Sequence, residues 1–167
     1  MKKLFVALIA ACGLLFGAAG AAQAASPHFI FARGDLSGTN LDVNFKEAGL
    51  GTNQLITYVT NADSTATYVC VNRGGANPSA QNKTTVSGPV SATGTFSSGK
   101  NGQVTASLTL MPPDSGGFTC PSGQSLEIAQ VTYTNVTVTD TTNGITEPVE
   151  GSPFDTGCLL PNVRGAC

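Results

Sequence analysis

Apolar and polar residues alternate along much of this chain with the two-residue period of β-strands. Leu41, Val43 and Phe45 have polar neighbours, and Val104 to Leu110 repeats the pattern on every second residue. Because successive side chains of a strand point to opposite faces, these segments have one buried and one solvated face. No segment has the 3.6-residue period of a helix, so the pattern predicts an all-β fold.

Turn-forming residues divide the predicted strands. Asn61 to Ser64 predicts a turn between strands at 55–60 and 65–71, because Asn, Asp and Ser favour turn geometry. Ser97 to Gly102 is rich in Gly, Ser and Asn and precedes the alternating segment 103–110. This arrangement predicts a hairpin between 103–110 and the strand before it.

The segment 126–139 is the longest predicted strand, but the phase of its apolar residues changes twice. The apolar positions are even-numbered at first, odd around Tyr133 and even again from Val136. One flat strand would place these side chains on both faces, so β-bulges are expected near Gln130 and Asn135. With seven to nine short antiparallel strands in all, the pattern predicts a single Ig-like β-sandwich.

The first 24 residues have the features of a cleaved secretion signal. Lys2 and Lys3 precede an apolar run, and Ala22-Gln23-Ala24 has the small residues that signal peptidase accepts. A retained membrane anchor and lipidation at Cys12 are the alternatives. The cleavage pattern, and the apolar stretch that follows Cys12, favour export to the extracellular space without a membrane partner. The predicted organisation is a signal peptide at 1–24, a β-sandwich domain at 25–150 and a C-terminal tail at 151–167.

Four cysteines remain after cleavage, and an even number in an exported chain predicts two disulfides. Three connectivities are possible. We expect Cys70–Cys120, which could link the two sheets of the sandwich, and Cys158–Cys167, which would close a small loop in the tail. A zinc site is not predicted, because the chain has no C-x-x-C pair and its one histidine, His28, is distant in sequence.

The charged residues exclude several classes of partner. Cleavage removes Lys2 and Lys3 and leaves six basic against ten acidic residues, none of them clustered. A nucleic-acid partner is not predicted, because no basic stripe is present to contact phosphates. The acidic residues are single and form no calcium loop, so no metal or cofactor is predicted either.

Three short motifs allow both a functional and a structural interpretation. Ser97 to Lys100 matches the S-x-x-K motif of penicillin-recognising enzymes, but the companion motifs are missing and a turn explains the residues. Arg33-Gly34-Asp35 spells an integrin-recognition tripeptide, here interpreted as the end of the first strand. His28 has no nucleophile in a recognisable setting. The sequence therefore predicts no catalytic residue and a protein that is not an enzyme.

Several stretches resemble a group of small secreted all-β proteins from soil bacteria such as actinobacteria. They lie at residues 43–51, 66–75, 82–83, 94–96, 106–109, 118–123 and 133–137. The resemblance spans about residues 28–150 and implies secretion and a shared fold, with no assigned activity to transfer. The tail with Cys158 and Cys167 departs from that group. In composition and size the chain is also similar to the neocarzinostatin-type apoproteins, two-disulfide Ig-like sandwiches that hold a small apolar chromophore, but the cysteine spacings differ.

These observations predict a secreted, non-enzymatic binding or surface-interaction protein without identifying its ligand. A small-molecule carrier of the neocarzinostatin type is one alternative, and it requires a cleft lined by apolar side chains. An extracellular enzyme inhibitor is another, and it requires a rigid exposed loop such as residues 111–119.

Overall fold

The computed structural model describes residues 26–76 and 82–167. The predicted signal peptide at 1–24, with Cys12, lies outside the described residues. Eight β-strands follow one another along the described chain: β1 (His28–Ser37), β2 (Asn40–Ala48), β3 (Leu55–Asn72), β4 (Lys83–Ser97), β5 (Gln103–Leu110), β6 (Gln124–Asp140), β7 (Ile145–Pro148) and β8 (Phe154–Asp155). In this part of the chain, no helix combines the length and the apolar character needed to cross a membrane.

The strands form two sheets that pack face to face. The short sheet has the order β1-β2-β5, and the long sheet has the order β4-β3-β6, with β7 and β8 along the other edge of β6. Every pairing between these strands is antiparallel. The inner faces enclose one main core, in which Val43 and Phe45 of the short sheet meet Tyr58 and Val131 of the long one. The predicted all-β sandwich is confirmed.

Strand β3 is continuous, so the turn predicted at Asn61 to Ser64 is wrong. The strand runs for 18 residues and is paired on both sides, with β4 and with β6. Asn61 and Asp63 are exposed on the outer face, whereas Ala62 and Ser64 are buried on the inner face. Hydrogen bonds to two neighbouring strands outweigh the local turn preference of these residues.

The predicted hairpin after β4 is also wrong, because β4 pairs with β3 and β5 pairs with β2. The turn between them crosses from the long sheet to the short sheet. Gly99 and Gly102 adopt the left-handed φ values of 59° and 63° that this sharp crossing requires. Alternation and a glycine-rich turn predicted the two strands correctly, but these features do not determine which strand each one pairs with.

Both predicted bulges are confirmed in β6. The register with β3 shifts around Ala129 and again around Asn135, which has a φ of 53°. Each bulge adds one residue to β6 and reverses which side chains point inward. Tyr133 before the second bulge and Val138 after it are therefore both completely buried.

The long sheet extends well beyond the short one, because β3 is about 60 Å long and β2 about 30 Å. The hydroxyl of Tyr133 donates to the carbonyl of Thr39 at 2.8 Å and marks where the short sheet ends. Beyond this level the segment 111–121 covers the inner face of the long sheet. Its anchors are a hydrogen bond from the Tyr68 hydroxyl to Pro113 O at 2.5 Å and the disulfide that joins β3 to the β5–β6 connection.

The C-terminal tail covers the outer face of the same extension. Ala166 packs on Val69 and Ala129, and all three are completely buried. The predicted disulfides are both formed: Cys70–Cys120 with 5.5 Å between Cα atoms and Cys158–Cys167 with 5.9 Å. The expectation that the first one could link the two sheets is wrong, since Cys120 belongs to the connection and not to a strand. Cys70–Cys120 instead holds the segment 111–121 on the inner face of the long sheet, and Cys158–Cys167 closes a loop in the tail that covers the outer face.

Candidate functional site

The residues of the predicted motifs have structural roles where they lie. His28 is exposed, and its Nδ1 is 2.9 Å from the backbone oxygen of Ser26. In the S-x-x-K match, the Ser98 hydroxyl is buried, donates to Gly51 O at 2.6 Å and accepts from the Gln54 backbone N–H at 2.9 Å. Ser98 therefore ties two loops together.

The Arg33-Gly34-Asp35 tripeptide lies within β1, which continues to Ser37, so the strand end predicted there is wrong. Gly34 lies under the ring of Phe154, where a Cβ atom would be 2.4 Å from the ring. The Nε of Arg33 donates to a carboxylate oxygen of Glu150 at 3.3 Å, and Asp35 accepts a hydrogen bond from Asn44 at 3.0 Å. Packing of β8 on β1 accounts for the glycine.

The loop at residues 111–119 lies along the long sheet. Met111 at its start is 67% exposed, but Phe118 packs against the main core, and the backbone N–H of Phe118 donates to Ser115 O at 3.0 Å. With Pro113 and Cys120 also anchored, the loop covers the sheet and presents only part of its surface to solvent.

A buried group of polar side chains lies at the opposite end of the sandwich. Glu47 comes from β2, Tyr58 from β3 and Asp140 from the last position of β6, and all three are completely buried. Tyr58 and Asp140 are cross-strand partners, and Glu47 faces them from the short sheet. Three phenylalanine rings, Phe29, Phe45 and Phe96, pack around Tyr58, with 4.6 Å between the ring centroids of Phe45 and Tyr58.

The two carboxyl groups differ in their hydrogen bonds. One oxygen of Asp140 accepts from the backbone N–H groups of Thr142 (2.8 Å) and Asn143 (3.0 Å), and the other accepts from the Asn143 side chain at 2.6 Å. Neither carboxylate oxygen of Glu47, nor the Tyr58 hydroxyl, has a hydrogen-bond partner of good geometry in residues 26–76 and 82–167. The buried carboxyl group of Asp140 thus has three hydrogen-bond donors, whereas that of Glu47 has none of good geometry.

Burial raises the pKa of Glu47 from its ordinary 4.5 to about 7. The nearby Tyr58 hydroxyl lowers this pKa, the negative charge of Asp140 raises it, and the charge of His28 lowers it. Burial also raises the pKa of Tyr58, and the neighbouring Glu47 raises it further. Glu47 therefore keeps its proton well above the pH at which an exposed glutamate loses it.

No sequence motif marks this buried group, although the hydrophobic pattern contains a signal for it. Glu47 continues the odd-numbered buried positions that include Val43 and Phe45, and Asp140 continues the even-numbered ones that include Val138. An acidic residue in the buried phase of a strand is unusual enough to identify as a candidate site.

A second feature is the outer face of the long sheet, which consists mainly of hydroxyl side chains. On β4, every second residue from Thr85 to Ser97 points outward, and all of these except Pro89 carry a hydroxyl. The outward-facing threonines of the neighbouring strands are Thr57, Thr65 and Thr67 on β3, Thr132, Thr134, Thr137 and Thr139 on β6, and Thr146 on β7. We call this surface the hydroxyl face.

Hydrogen bonds between side chains order the hydroxyl face. Across β3 and β4, Thr57 pairs with Thr95 at 2.9 Å, and Thr65 with Ser87 at 2.9 Å. Similar pairs are Thr67–Thr85 at 3.2 Å and Thr139–Thr146 at 2.9 Å. A hydroxyl that accepts or donates one such bond keeps further capacity for a ligand, because it has one donor and two acceptor sites.

The hydroxyl face has few charged side chains, and the tyrosine rings point away from it. Asp63 lies in its middle and is paired with Asn135, whose side-chain nitrogen donates to it at 2.8 Å. All three tyrosines of the chain, Tyr58, Tyr68 and Tyr133, are buried on the inner face. The hydroxyl face therefore offers hydrogen bonds and methyl groups for recognition.

Comparisons of the chain with protein-family models, with curated proteins and with solved structures found no match. By structural class, the chain is a two-sheet antiparallel β-sandwich with two disulfides.

Proposed function

We propose that this chain is an extracellular, non-enzymatic binding protein whose hydroxyl face recognises a neutral, hydroxyl-rich polymer. The observation that carries the proposal is the array of threonine and serine side chains on β4, β3, β6 and β7, which is interrupted on β3 by Val59, Asn61 and Asp63. The two disulfides support an oxidising, extracellular location.

The hydroxyl groups of this face favour a ligand that also carries hydroxyl groups. A hydroxyl donates and accepts hydrogen bonds, so it is best matched by groups that do both, such as the alcohol groups of a polysaccharide. The side chains repeat at about 4.8 Å between strands and about 6.7 Å along each strand, which suits a ligand that is itself a repeat. A polyanion or polycation has no matching cluster of charge on this face.

The two alternative functions have less support. A small-molecule carrier needs a cleft, but the side chains between the sheets pack closely, with the Phe45, Tyr58 and Phe96 rings in mutual contact. An inhibitor needs a protruding loop, but the loop at residues 111–119 packs along the sheet.

Binding to insoluble polysaccharides tests the proposal. The purified protein is incubated with cellulose, chitin, insoluble starch and a neutral cell-wall glucan, and the fraction that sediments is measured against protein concentration. We expect saturable binding to at least one of them. Thr93→Lys, a change at an exposed position of the hydroxyl face, is expected to weaken that binding at least tenfold.

The matched control is Thr105→Lys, an exposed threonine on the outer face of the short sheet. This variant is expected to bind like the unchanged protein. Failure to sediment with any of the four polymers would contradict the proposal, as would equal loss of binding in both lysine variants.

A further inference from the structure

Glu47 and Asp140 are neighbours at the end of the sandwich: Asp140 is the cross-strand partner of Tyr58, Glu47 is on the same face of β2 as Phe45, which packs on Tyr58, and the charge of Asp140 acts on Glu47. Glu47 is the next-to-last residue of β2, and Asp140 is the last residue of β6. Because the pair lies at an end of the sandwich, water can reach it when only the last residues of these strands separate.

An ionised Glu47 is poorly accommodated in this position. Asp140 already receives three hydrogen bonds from the β6–β7 turn, whereas Glu47 receives none of good geometry within the described residues. Two adjacent buried carboxylates repel each other, and the one without donors has the larger desolvation cost. A proton on Glu47 removes this repulsion and supplies a donor for a hydrogen bond to Asp140.

Two other groups near Glu47 favour its ionised form, the Tyr58 hydroxyl of β3 and the exposed His28 of β1, but burial and the charge of Asp140 outweigh them. The partners of Glu47 on either side within the short sheet are Phe29 of β1 and Val104 of β5, both apolar.

We propose that Glu47 and Asp140 form a proton-binding site that holds one shared proton in the folded protein, and that loss of this proton loosens the end of the sandwich formed by the last residues of β2 and β6. This inference stands independently of the proposed polysaccharide binding. The site makes the fold respond to the acidity of its surroundings through a single buried group.

The effect on stability has a definite sign. The folded state holds the Glu47 proton up to about pH 7, whereas the unfolded chain releases it near 4.5. At this site the unfolded state therefore binds fewer protons between these values, so the contribution of Glu47 to stability falls as the pH rises through this window. From Glu47 alone we expect an increase on the order of 200-fold in the unfolding equilibrium constant between about pH 4 and about pH 8.

Carbon-13 NMR of the glutamate carboxyl groups in the purified protein tests the proton directly. We expect one glutamate, assigned to Glu47 by its loss in Glu47→Gln, to titrate near pH 7. In Asp140→Asn, whose side chain keeps an acceptor for the turn, the Glu47 transition is expected at lower pH. Titration of every glutamate carboxyl near 4.5 in the unchanged protein would overturn the proposal, and this result requires neither variant to fold.

Denaturant unfolding and amide exchange test the structural consequence. The fall in stability between about pH 5 and about pH 8 is expected to shrink in Glu47→Gln and to persist in Glu127→Gln, a change of an exposed glutamate on β6. Amides of residues 47–50 and 140–144 are expected to exchange faster at the higher pH, after correction for intrinsic rates. Equal pH dependence in all three proteins, or unchanged exchange at these residues, would show that the pair has no such role.

Discussion

The contact between Gly34 and Phe154 allows a sharp test of how β8 is held on the short sheet. A Cβ atom added at Gly34 would lie 2.4, 2.7 and 2.9 Å from three carbon atoms of the Phe154 ring, whereas favourable carbon contacts are about 3.5–4.0 Å. Gly34→Ala therefore forces the ring away from β1. Gly88→Ala is the matched control, because it is also in a strand and its Cβ atom would have no neighbour among the described residues within 4 Å.

Two opposing effects determine how much Gly34→Ala changes the free energy of unfolding. Overpacking at a well-packed contact costs about 1–3 kcal/mol. Replacing a strand glycine with alanine returns about 0.5–1 kcal/mol, because less backbone entropy is lost on folding. Gly34→Ala is therefore expected to lower the free energy of unfolding by about 1–2 kcal/mol, and Gly88→Ala to raise it by about 0.5–1 kcal/mol. For a domain of this size, 1 kcal/mol corresponds to a change of about 4 °C in Tm.

A double-mutant cycle in urea identifies the contact responsible. Phe154→Leu replaces the ring with a smaller side chain, so Gly34→Ala is expected to cost much less in the Phe154→Leu background than in the unchanged protein. If Gly34→Ala leaves stability unchanged or increases it while Gly88→Ala behaves as expected, the packing argument is wrong. Additive losses in the double variant would place the cost somewhere other than at the ring of Phe154.

Two further predictions concern the tail disulfide and the buried tyrosines. Replacing Cys158 and Cys167 with serine is expected to lower the free energy of unfolding by about 3 kcal/mol on the chain-entropy model. The same change is expected to speed amide exchange at Val69, measured by mass spectrometry, because the tail packs on this residue. Unchanged exchange at Val69 would contradict the idea that the tail covers it. Tyr133→Phe removes a hydroxyl that donates to backbone carbonyls, so it is expected to lower the free energy of unfolding in urea by about 1–2 kcal/mol. Tyr58→Phe is expected to leave this free energy nearly unchanged, because the Tyr58 hydroxyl has no well-formed hydrogen bond in the described chain. Equal losses in the two tyrosine variants would refute this.

Features that depend on local pattern were predictable from the amino-acid sequence. Alternation at Leu41 to Phe45 specified a strand with one buried face, and the changes of phase in β6 specified the bulges at Ala129 and Asn135. This succeeds because the two-residue period of a strand is a property of neighbouring residues, and a change of phase within one strand requires an extra residue. The even number of cysteines likewise predicted two bridges before the pairing was known.

The tertiary structure decided which of these segments meet. Asn61 to Ser64 has the composition of a turn but forms strand, since hydrogen bonds to β4 and β6 on both sides outweigh its local preference. The segment before Gln103 has the composition of a hairpin turn, yet it crosses between sheets, because strand pairing is set by contacts distant in sequence. Glu47 and Asp140 each read as ordinary polar residues at the end of a strand. They become a site only when the two sheets stack and remove both carboxyl groups from water.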